Sequence, residues 1–414
     1  MGRMNKTLSA PRMIGLNAYW VGLSFMWNAL HPIILPALLL NYVPDAKKNT
    51  YLGLLTFAGL LLALILQPLA GAASDSWNSR FGRRRPLMVI GTALDFVFLA
   101  VLAWRGGLLW LILGYVGLQL SANLGQGPLQ GLMRDQVPEQ QLGAASSIKI
   151  AMDVSSLIAA SLLAGRSLGS QSNNPRIIIL IIIILLAASS SITIFWTKEE
   201  PHAVQGRPKW SDLASQFRID VRHHSEYWWL IAQRALFLMG IYGVQAFAEY
   251  YIQDVLHVAN PPQQTGQLLA VIAAGVLLLV LVGGWLTDRI GAKKILYIAG
   301  GITLAGILLF LLLTTESGLP LAGSVLGAGI GLFLTSNWAL ANRLAPIGES
   351  GKFLGLTNLA TAGAAALVRL QGPLVDLFNA ARPSAWLGYR GLYAFCAACI
   401  LLSTLVLSKV QSKV

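Results

Sequence analysis

Several ionisable side chains of this sequence lie inside long apolar stretches, where a charge is costly to bury. Asp153 follows Lys149 by four residues, so both side chains share one face if the stretch is helical. A lone charge inside hydrocarbon costs roughly 2.5–3.5 kcal/mol on insertion scales, which makes such residues functional candidates by default. The chemistry on offer is proton transfer, cation binding or the binding of a polar solute. The members of this group are His31, Asp95, Lys149, Asp153, Arg234, Glu249, Arg369 and Asp376.

Asp153 is the best candidate for a group that takes up a proton or a cation, and Lys149, Asp95 and Glu249 complete the predicted coupling set. An isolated Lys–Asp pair on one helix stabilises it by only about 0.2–0.5 kcal/mol, which does not repay its burial. A water-filled cavity or a cross-helix partner such as Arg369 is therefore the expected reason for the pair. The alternative is a structural ion pair between Asp153 and Lys149. For Asp95 and Glu249 the alternatives are a buried hydrogen-bonding role and an interfacial position.

The stretch 27–36, WNALHPIILP, offers a possible substrate face. Its two prolines interrupt helical hydrogen bonding and free backbone carbonyls, which membrane-spanning helices tolerate where the carbonyls line a cavity. Asn28 and His31 lie one turn apart at this bend. A kink that serves only packing is the alternative interpretation.

Amide side chains recur every three or four residues between 119 and 130, which places them along one face of a helix. A stripe of amides facing lipid would be costly, so we expect it to face a cavity. Asn337 and Trp338 are the corresponding candidates in the second half, and two buried arginines could bind an anionic or hydroxyl-rich solute. The predicted substrate-binding residues are Asn28, His31, Gln119, Asn123, Gln126, Gln130, Arg234, Asn337, Trp338 and Arg369.

The composition of the chain indicates what kind of segments surround these residues. The 414-residue chain is 55% hydrophobic and 11% charged, whereas soluble domains carry about 25% charged residues. Because a spanning helix needs about 20 apolar residues, the pattern predicts an all-α integral membrane protein with twelve transmembrane helices. The predicted spans are 13–41, 50–73, 86–104, 107–130, 141–164, 176–197, 226–253, 264–287, 292–314, 318–344, 351–379 and 388–409.

The basic residues are distributed unevenly between the two predicted membrane sides. If the N-terminus is inside, twenty of the 30 lysines and arginines lie in inner segments, seven in outer loops and three within spans. This asymmetry predicts that both termini are cytoplasmic. It also accounts for the net charge of +13 without a nucleic acid partner, because the basic residues do not share one soluble face.

Signatures of catalysis are missing from the sequence. It has no Gly-Lys-Ser phosphate loop, no HExxH pattern and no other credible set of metal ligands. Cys396 and Cys399 lie inside an apolar run, where a structural role is the favoured interpretation. We therefore expect no enzyme activity, no cofactor and no metal site.

Two pairs of matching loops indicate an internal duplication. The basic stretch 71–86, GAASDSWNSRFGRRRP, has an echo at 284–294, GWLTDRIGAKK. The stretch that begins RDQVP at Arg134 has another that begins RLAP at Arg343. We predict a six-helix bundle at 1–197, a cytoplasmic linker at 198–225 and a second six-helix bundle at 226–414. An amphipathic linker helix on the membrane surface is expected from Trp210, Leu213, Phe217 and Val221, with Lys209, Arg218 and Arg222 among them.

Taken together, these features resemble the major facilitator superfamily, and the resemblance covers essentially the whole chain. SDSWNSRFGRRRP (74–86), QGPLQGLMRDQVPEQQLG (126–143) and YYIQDVL (250–256) are similar to motifs of its sucrose-transporter and glycoside–cation symporter branch. The sequence departs from that branch at Ser76 and Gln130, where arginine is usual. The Lys149–Asp153 pair is also not part of the family pattern.

The resemblance implies two pseudo-symmetric bundles, alternating access and gates at the inner helix ends. In such gates an aspartate pairs with arginines or with a helix N-terminus, and the link breaks when the site opens to that side. The gating residues implied are Asp75, Arg80, Arg83, Arg84, Asp288 and Arg289.

The sequence thus predicts a monomeric secondary transporter of the plasma or inner membrane. Its partners would be the lipid bilayer, a small polar solute (a sugar or glycoside) and a coupling proton or cation. The alternatives are a proton-coupled exporter of drugs or amphiphiles, and a membrane assembly factor that has kept the fold without transport.

Overall fold

A computed structural model describes residues 8–75, 79, 81–104, 106–169, 174–197, 199, 225–345 and 350–410. The predicted linker helix and the predicted gating residue Arg80 lie outside these ranges. The chain packs as two compact units. Unit 1 comprises Met1–Leu30 and Leu61–Trp210, and unit 2 comprises His31–Leu60 and Ser211–Val414. The predicted bundles follow the linear sequence, so the prediction kept residues 31–60 in the first bundle, whereas here they belong to unit 2. The predicted domain boundaries stay a prediction.

The described residues are helical almost throughout, as the apolar periodicity predicts. In chain order the α-helices are α1 (Ala10–Ala29), α2 (Leu35–Leu39), α3 (Lys48–Asp75), α4 (Arg85–Trp104), α5 (Leu108–Gln136), α6 (Leu142–Leu168), α7 (Arg176–Trp196), α8 (Ser225–Ala246), α9 (Ala248–Asp254), α10 (Pro261–Ile290), α11 (Ala292–Leu312), α12 (Leu319–Leu344), α13 (Ser350–Leu367), α14 (Gly372–Ala381) and α15 (Leu387–Leu407). Proline occupies the first turn of α1, α10, α12 and α14, where its missing N–H leaves no helical hydrogen bond unmade.

In unit 1, α1 packs against α6 and α7, while α4 packs against α5 and α7. Glycine permits the closest approach: a Cβ on Gly91 would lie 2.8 Å from the carbonyl oxygen of Ser121. In unit 2, α8 packs against α13 and α15, and α12 packs against α10 and α11. Here a Cβ on Gly331 would lie 2.7 Å from the carbonyl oxygen of Val276. Small residues at such crossings let helices of a membrane protein pack backbone to backbone.

Three interruptions of helical geometry lie in or at the edge of unit 2. A π-helical turn at Leu30–Ile34 contains His31 and Pro32. The helices α8 and α9 are bent by 48° at Phe247, and a 3-10 turn at Val368–Gln371 contains Arg369. The first interruption coincides with the predicted proline kink, whereas nothing in the local sequence signals the bend at Phe247.

Ten helical segments of the described chain are long and apolar enough to cross a membrane, and an eleventh is obtained if α8 and α9 count as one span. The predicted span 351–379 corresponds to α13, the 3-10 turn at Val368–Gln371 and α14, and it is not among these segments. Large apolar side chains such as Phe195 (83% exposed) and Leu281 (75% exposed) lie on the surface, as expected of helices that face lipid.

Candidate functional site

Asp153 lies at the centre of a polar cluster between α1 and α6 of unit 1. Its Oδ2 accepts a hydrogen bond from Lys149 Nζ at 2.7 Å, and its Oδ1 accepts one from Ser24 Oγ at 2.5 Å. The Lys149 ammonium also lies 4.0 Å from the centre of the Trp20 ring, which is a cation–π contact. Lys149 and Asp153 remain 29% and 30% exposed, so the two side chains are only partly enclosed by their neighbours.

The sequence predicted the Lys149–Asp153 pair but missed Ser24 and Trp20. Both missed residues lie on α1, four residues apart, and each is an ordinary choice for a buried helix face. Their functional relevance depends on α1 packing against α6, a contact between segments more than 120 residues apart. Asn28 lies one turn further along α1 and is half-buried.

The predicted amide stripe runs from the interior of α5 to its surface. Gln119 and Asn123 are buried, and Asn123 Nδ2 donates to the backbone oxygen of Gln119 at 2.7 Å. Gln119 in turn donates to the Tyr115 hydroxyl at 2.8 Å. Gln126 is half-buried and Gln130 is exposed. The buried Gln119 and Asn123 thus donate hydrogen bonds within α5. The side chains of Gln126 and Gln130 are the more accessible ones of the stripe.

Asp95 is fully buried in α4, where its Oδ1 accepts a hydrogen bond from the Ser121 hydroxyl of α5. Its Oδ2 is buried too and has no hydrogen-bond donor among the described residues. The neighbouring Tyr19 hydroxyl contacts Thr92 Oγ1 at 2.5 Å. Asp95 therefore belongs to a support network between α4 and α5, separate from the Asp153 cluster.

Arg234 is the centre of a buried polar network in unit 2. Its Nη1 donates to Asn337 Oδ1 at 2.5 Å, and its Nε donates to Thr361 Oγ1 at 3.0 Å. Gln233 extends the network, accepting a hydrogen bond from Asn337 Nδ2 at 3.0 Å and donating one to Ser403 at 3.0 Å. The structure thus joins two predicted substrate-binding residues, Arg234 and Asn337, on helices α8 and α12.

Trp338, the predicted neighbour of Asn337, does not belong to this network within the described chain. It is 43% exposed, because adjacent residues of a helix point in different directions. Arg369 donates from Nη1 to Thr56 Oγ1 at 3.2 Å and lies within electrostatic range of the half-buried His31. Arg369 and His31, predicted separately, are therefore neighbours in unit 2, although His31 comes from the start of the chain.

Glu249 is buried (2% exposed) one residue into α9, next to the bend at Phe247. Neither carboxyl oxygen has a hydrogen-bond partner among the described residues. A carboxylate in such a position is costly in its charged form, so Glu249 stays a candidate for the coupling group predicted from its type.

A buried ionic network joins residues 31–60 to the C-terminal helices of unit 2. Lys48 is 1% exposed, and its Nζ contacts Asp254 Oδ1 at 2.6 Å and Asp45 Oδ1 at 2.8 Å. The Tyr389 hydroxyl donates to the other oxygen of Asp254 at 2.7 Å. Beside this pair, Asp376 accepts hydrogen bonds from Asn49 Nδ2 at 2.8 Å and from the Thr50 backbone and hydroxyl at 2.6 Å each.

Sequence reasoning noted Asp376 as an intramembrane charge but assigned no role to it, to Lys48 or to Asp254. Lys48 and Asp254 are 206 residues apart, and neither resembles a partner of the other in the local pattern. We name this set of residues, Lys48, Asn49, Thr50, Asp254, Asp376 and Tyr389, the Lys48 cluster.

The basic loop forms a second cluster at the other end of α3. Arg84 Nη2 contacts Asp75 Oδ1 at 2.9 Å, as predicted from the sequence. Arg84 Nε and Arg83 Nη2 also bind Asp135 Oδ2, at 2.6 and 2.7 Å. The Glu199 carboxylate accepts a hydrogen bond from the Arg84 backbone N–H at 3.0 Å. All these contacts lie inside unit 1, and we name the set the Arg84 cluster.

Electrostatics favour the charged form of Asp135 in this cluster. Partial burial by itself would raise the pKa of Asp135, but hydrogen bonds from Arg84 and Arg83 outweigh it and lower the pKa below the ordinary value of 3.8. Asp135 directly follows Arg134 in the motif RDQVP. This motif was recognised in the sequence, but Asp135 was not predicted to be a partner of the loop arginines.

The echo of the basic loop forms a weaker pair in unit 2. Asp288 Oδ1 lies 3.8 Å from Arg343 Nη2, and both side chains are exposed. Arg289 instead lies over the Trp285 ring, at 5.2 Å. In each unit, therefore, the basic loop or its echo contacts the second matched stretch, which begins at Arg134 or Arg343. Within the described residues no group of three or more His, Cys, Asp or Glu side chains could hold a metal ion.

Comparisons with known proteins agree with this architecture. The family model of the Major Facilitator Superfamily matches residues 12–368. Similar solved structures include the nucleoside transporter NupG (TM-score 0.74, 13% identity, 97% of this chain and 100% of that chain). A D-xylose-proton symporter aligns with a TM-score of 0.71 and 16% identity over 97% of this chain and 98% of that one. At such identities the likeness concerns the fold alone.

Curated relatives match over shorter stretches. Solute carrier family 45 member 3 of Mus musculus is 30% identical over 114 residues, which is 23% of this chain and 21% of that protein. Sucrose transport protein SUC4 of Arabidopsis thaliana is 26% identical over 130 residues, 28% of this chain and 25% of that protein. Proton-associated sugar transporter A of Homo sapiens is 33% identical over 129 residues, 28% of this chain and 17% of that protein. The chain thus spans a quarter or less of the length of these relatives.

Proposed function

The chain belongs to the Major Facilitator Superfamily, and from this premise we propose that it is a symporter that moves a sugar or glycoside together with a proton or another cation. A member of this family is an integral membrane protein and a secondary transporter rather than an enzyme. The observation that carries the finer proposal is the Asp153 cluster, in which a carboxylate, an ammonium and an indole ring meet between α1 and α6. The names of the sugar transporters among the curated relatives support the same class of solute.

Asp153 is the proposed coupling group. As a carboxylate it accepts hydrogen bonds on both oxygens, from Lys149 and from Ser24. A proton that binds Oδ2 displaces the Lys149 donor, and the ammonium keeps its place over the Trp20 ring. Protonation therefore changes the charge and the hydrogen-bonding capacity of the cluster, and we propose that this change biases the equilibrium between the two conformations of the transporter.

Two ionic clusters are the proposed gates. Their residues include the two ends of α3, because Lys48 begins that helix and Asp75 ends it. We propose that the Lys48 cluster and the Arg84 cluster break and reform alternately as the site opens to one side and then to the other. The Asp288–Arg343 pair takes the corresponding place in unit 2.

The charge asymmetry of the sequence supports an orientation for the protein. We expect the protein in the plasma or inner membrane as a monomer, with both termini and the Arg84 cluster on the cytoplasmic side. The Lys48 cluster would then face outside.

The test is proton uptake by proteoliposomes on addition of a panel of sugars, with wild type and Asp153→Asn compared. We expect at least one sugar to trigger proton uptake in the wild type and the variant to lose that response. Liposomes without protein give the background, and Glu316→Gln, which removes an exposed carboxylate, is the matched control. Absence of proton uptake by the wild type with every sugar of the panel would contradict the proposal.

A further inference from the structure

A groove between α4 and α7 lies on the surface of unit 1 and shares no residue with the Asp153 cluster or the Arg84 cluster. Its volume is about 490 Å³, within the range of about 300–1,000 Å³ typical of small-molecule sites. Aliphatic side chains line its length: Ala100 and Ala103 of α4, and Ile179, Leu180 and Ile183 of α7. A sugar would leave its hydroxyl groups without hydrogen-bond partners along these side chains, so an apolar occupant fits better.

Polar groups line one end of the groove. Trp104 is the last residue of α4 and Arg176 is the first residue of α7, and both side chains contribute to the lining. A second indole lies at this end, because a Cβ on Gly106 would be 2.8 Å from Trp104 Cδ1 and 2.6 Å from Trp110 Cδ1. Tryptophans of membrane-spanning helices concentrate at the level of the lipid headgroups. This end of the groove therefore lies at the membrane–water interface, and the aliphatic part extends from it into the hydrocarbon.

The length of the groove matches the dimensions of one lipid leaflet. From Arg176 to Ile183 it follows α7 for seven residues, which is about 10 Å along the helix axis. The hydrocarbon of one leaflet is about 15 Å thick, half of the ~30 Å core of a bilayer. An acyl chain that lies along the two helices, with its headgroup at the interface, has the right shape for this groove.

The guanidinium of Arg176 lacks a counter-charge from the protein. It is exposed, and it forms no ion pair with an aspartate or glutamate in the part of the chain that the structure describes. The helix α7 contains no acidic residue. The one acidic residue of α4, Asp95, is fully buried and lies nine residues before Trp104, about 14 Å along the axis. A cation is thus left at the interfacial end of an apolar groove, where the phosphate of a lipid would lie.

We propose that this groove binds an anionic phospholipid, with an acyl chain along Ile179 and Ile183 and the headgroup phosphate at Arg176. The planar N–H donors of a guanidinium match phosphate oxygens. A net negative headgroup is favoured, since a zwitterionic one places its own cation beside the phosphate. A lipid bound in this way contacts α4 and α7 together and stabilises their packing. The site concerns the lipid-facing surface of unit 1 and is independent of the solute that the transporter moves.

The experiment uses palmitoyl-oleoyl phosphatidylglycerol and palmitoyl-oleoyl phosphatidylcholine, which share their acyl chains and differ in the charge of the headgroup. The purified full-length protein is incubated with each lipid in detergent, and native mass spectrometry counts the lipids that each protein molecule retains. We expect the wild type to retain one phosphatidylglycerol in preference to phosphatidylcholine. Phosphatidylglycerol should also raise the melting temperature of the wild type more than phosphatidylcholine does at equal concentration.

Two variants separate the contributions of the charge and of the groove. Arg176→Gln removes the cation and should lower phosphatidylglycerol retention about fivefold, with phosphatidylcholine retention unchanged. Ala100→Phe fills the groove and should lower the retention of both lipids. Both positions are exposed, so the variants should fold, and melting curves check this. The matched controls are Arg166→Gln, at an exposed arginine of α6, and Leu113→Phe, at an exposed leucine of α5; neither residue lines the groove.

Equal retention of the two lipids by the wild type would overturn the proposal without any variant. Undiminished retention of phosphatidylglycerol by both Arg176→Gln and Ala100→Phe would overturn it as well, because the lipid would then bind elsewhere. A wild-type dimer that retains no lipid and dissociates in the Ala100→Phe variant would assign the groove to a second copy of the chain. That result would also contradict a lipid site.

Discussion

At the scale of single residues, the protein places each buried charge in one of two kinds of surroundings. Some charges are held by hydrogen bonds, as Asp376 is by Asn49 and Thr50. Others have no hydrogen-bond partner among the described residues, as is the case for both carboxylate oxygens of Glu249. Hydrogen bonds to an enclosed charge such as Asp376 stabilise the fold.

Asp376 offers a test of the first kind. Asp376→Asn keeps the shape but replaces an acceptor of three hydrogen bonds by a neutral amide. Because hydrogen bonds to charged groups contribute about 1.5–3 kcal/mol, we expect the variant to unfold at a lower temperature in detergent. Thermal unfolding of purified protein measures this, with the exposed Glu316→Gln as the control. Equal melting temperatures for Asp376→Asn and wild type would show that the bonds to Asn49 and Thr50 do not stabilise the fold.

Asp135 provides a pH-dependent test at the same scale. Its pKa in the folded protein lies below the ordinary value of 3.8, because the bonds from Arg84 and Arg83 outweigh the effect of burial. The stabilisation is therefore present above the unfolded pKa and is lost as the pH falls through the lower, folded pKa. We expect Asp135→Asn to be less stable than wild type at pH 7, and the difference to shrink below the ordinary pKa. A difference that stays constant down to acid pH would contradict the role of the ion pairs.

Whole elements account for how these residues meet. The first half of α3, residues 48–60, belongs to unit 2, and its second half, residues 61–75, belongs to unit 1. Glycines permit the contact in unit 2. A Cβ on Gly372 would clash with the backbone oxygen of Asn49, and a Cβ on Gly53 with that of Arg369. The start of α3 and the break before α14 therefore touch backbone to backbone.

This contact predicts opposite effects for two glycine substitutions. Gly372→Ala forces α3 and α14 apart and should destabilise the protein by about 1–3 kcal/mol, as overpacking does. Gly363→Ala, in the interior of α13, meets no atom within 4 Å and should instead stabilise by about 0.5–1 kcal/mol through helix propensity. Thermal unfolding of both variants decides the matter. A Gly372→Ala variant that melts at the wild-type temperature or above would show that the close approach at Gly372 is not a constraint.

The elements were far easier to predict from the sequence than their contacts. Apolar runs located the spans, and the spacing of Lys149 and Asp153 predicted a pair that the structure confirms at 2.7 Å. The pairing of Asp75 with a loop arginine was also confirmed. The bend at Phe247 was missed because nothing in the local sequence signals it. The pair Lys48 and Asp254 was missed because it joins segments 206 residues apart, which no local pattern encodes.

At the scale of the whole molecule, we expect transport to depend on the protonation of Asp153 and on the Lys48 and Arg84 clusters. Removing the charge of Asp153 should fix the coupling group in its neutral state. We expect the site still to bind solute and to change its exposure in that state, because the substitution leaves the residues of both clusters unchanged. The variant should lose the coupling by which each transported solute molecule is accompanied by a proton.

The most direct measurement compares two reactions of Asp153→Asn in proteoliposomes, with the transported solute found in the panel. One is exchange of labelled for unlabelled solute at equal pH, and the other is accumulation driven by an imposed pH gradient. We predict that exchange continues while accumulation stops at the equilibrium level, as it would for a carrier without coupling. A variant that still accumulates solute like the wild type, or one that is folded but loses exchange and accumulation together, would contradict the assignment of Asp153 as the coupling group.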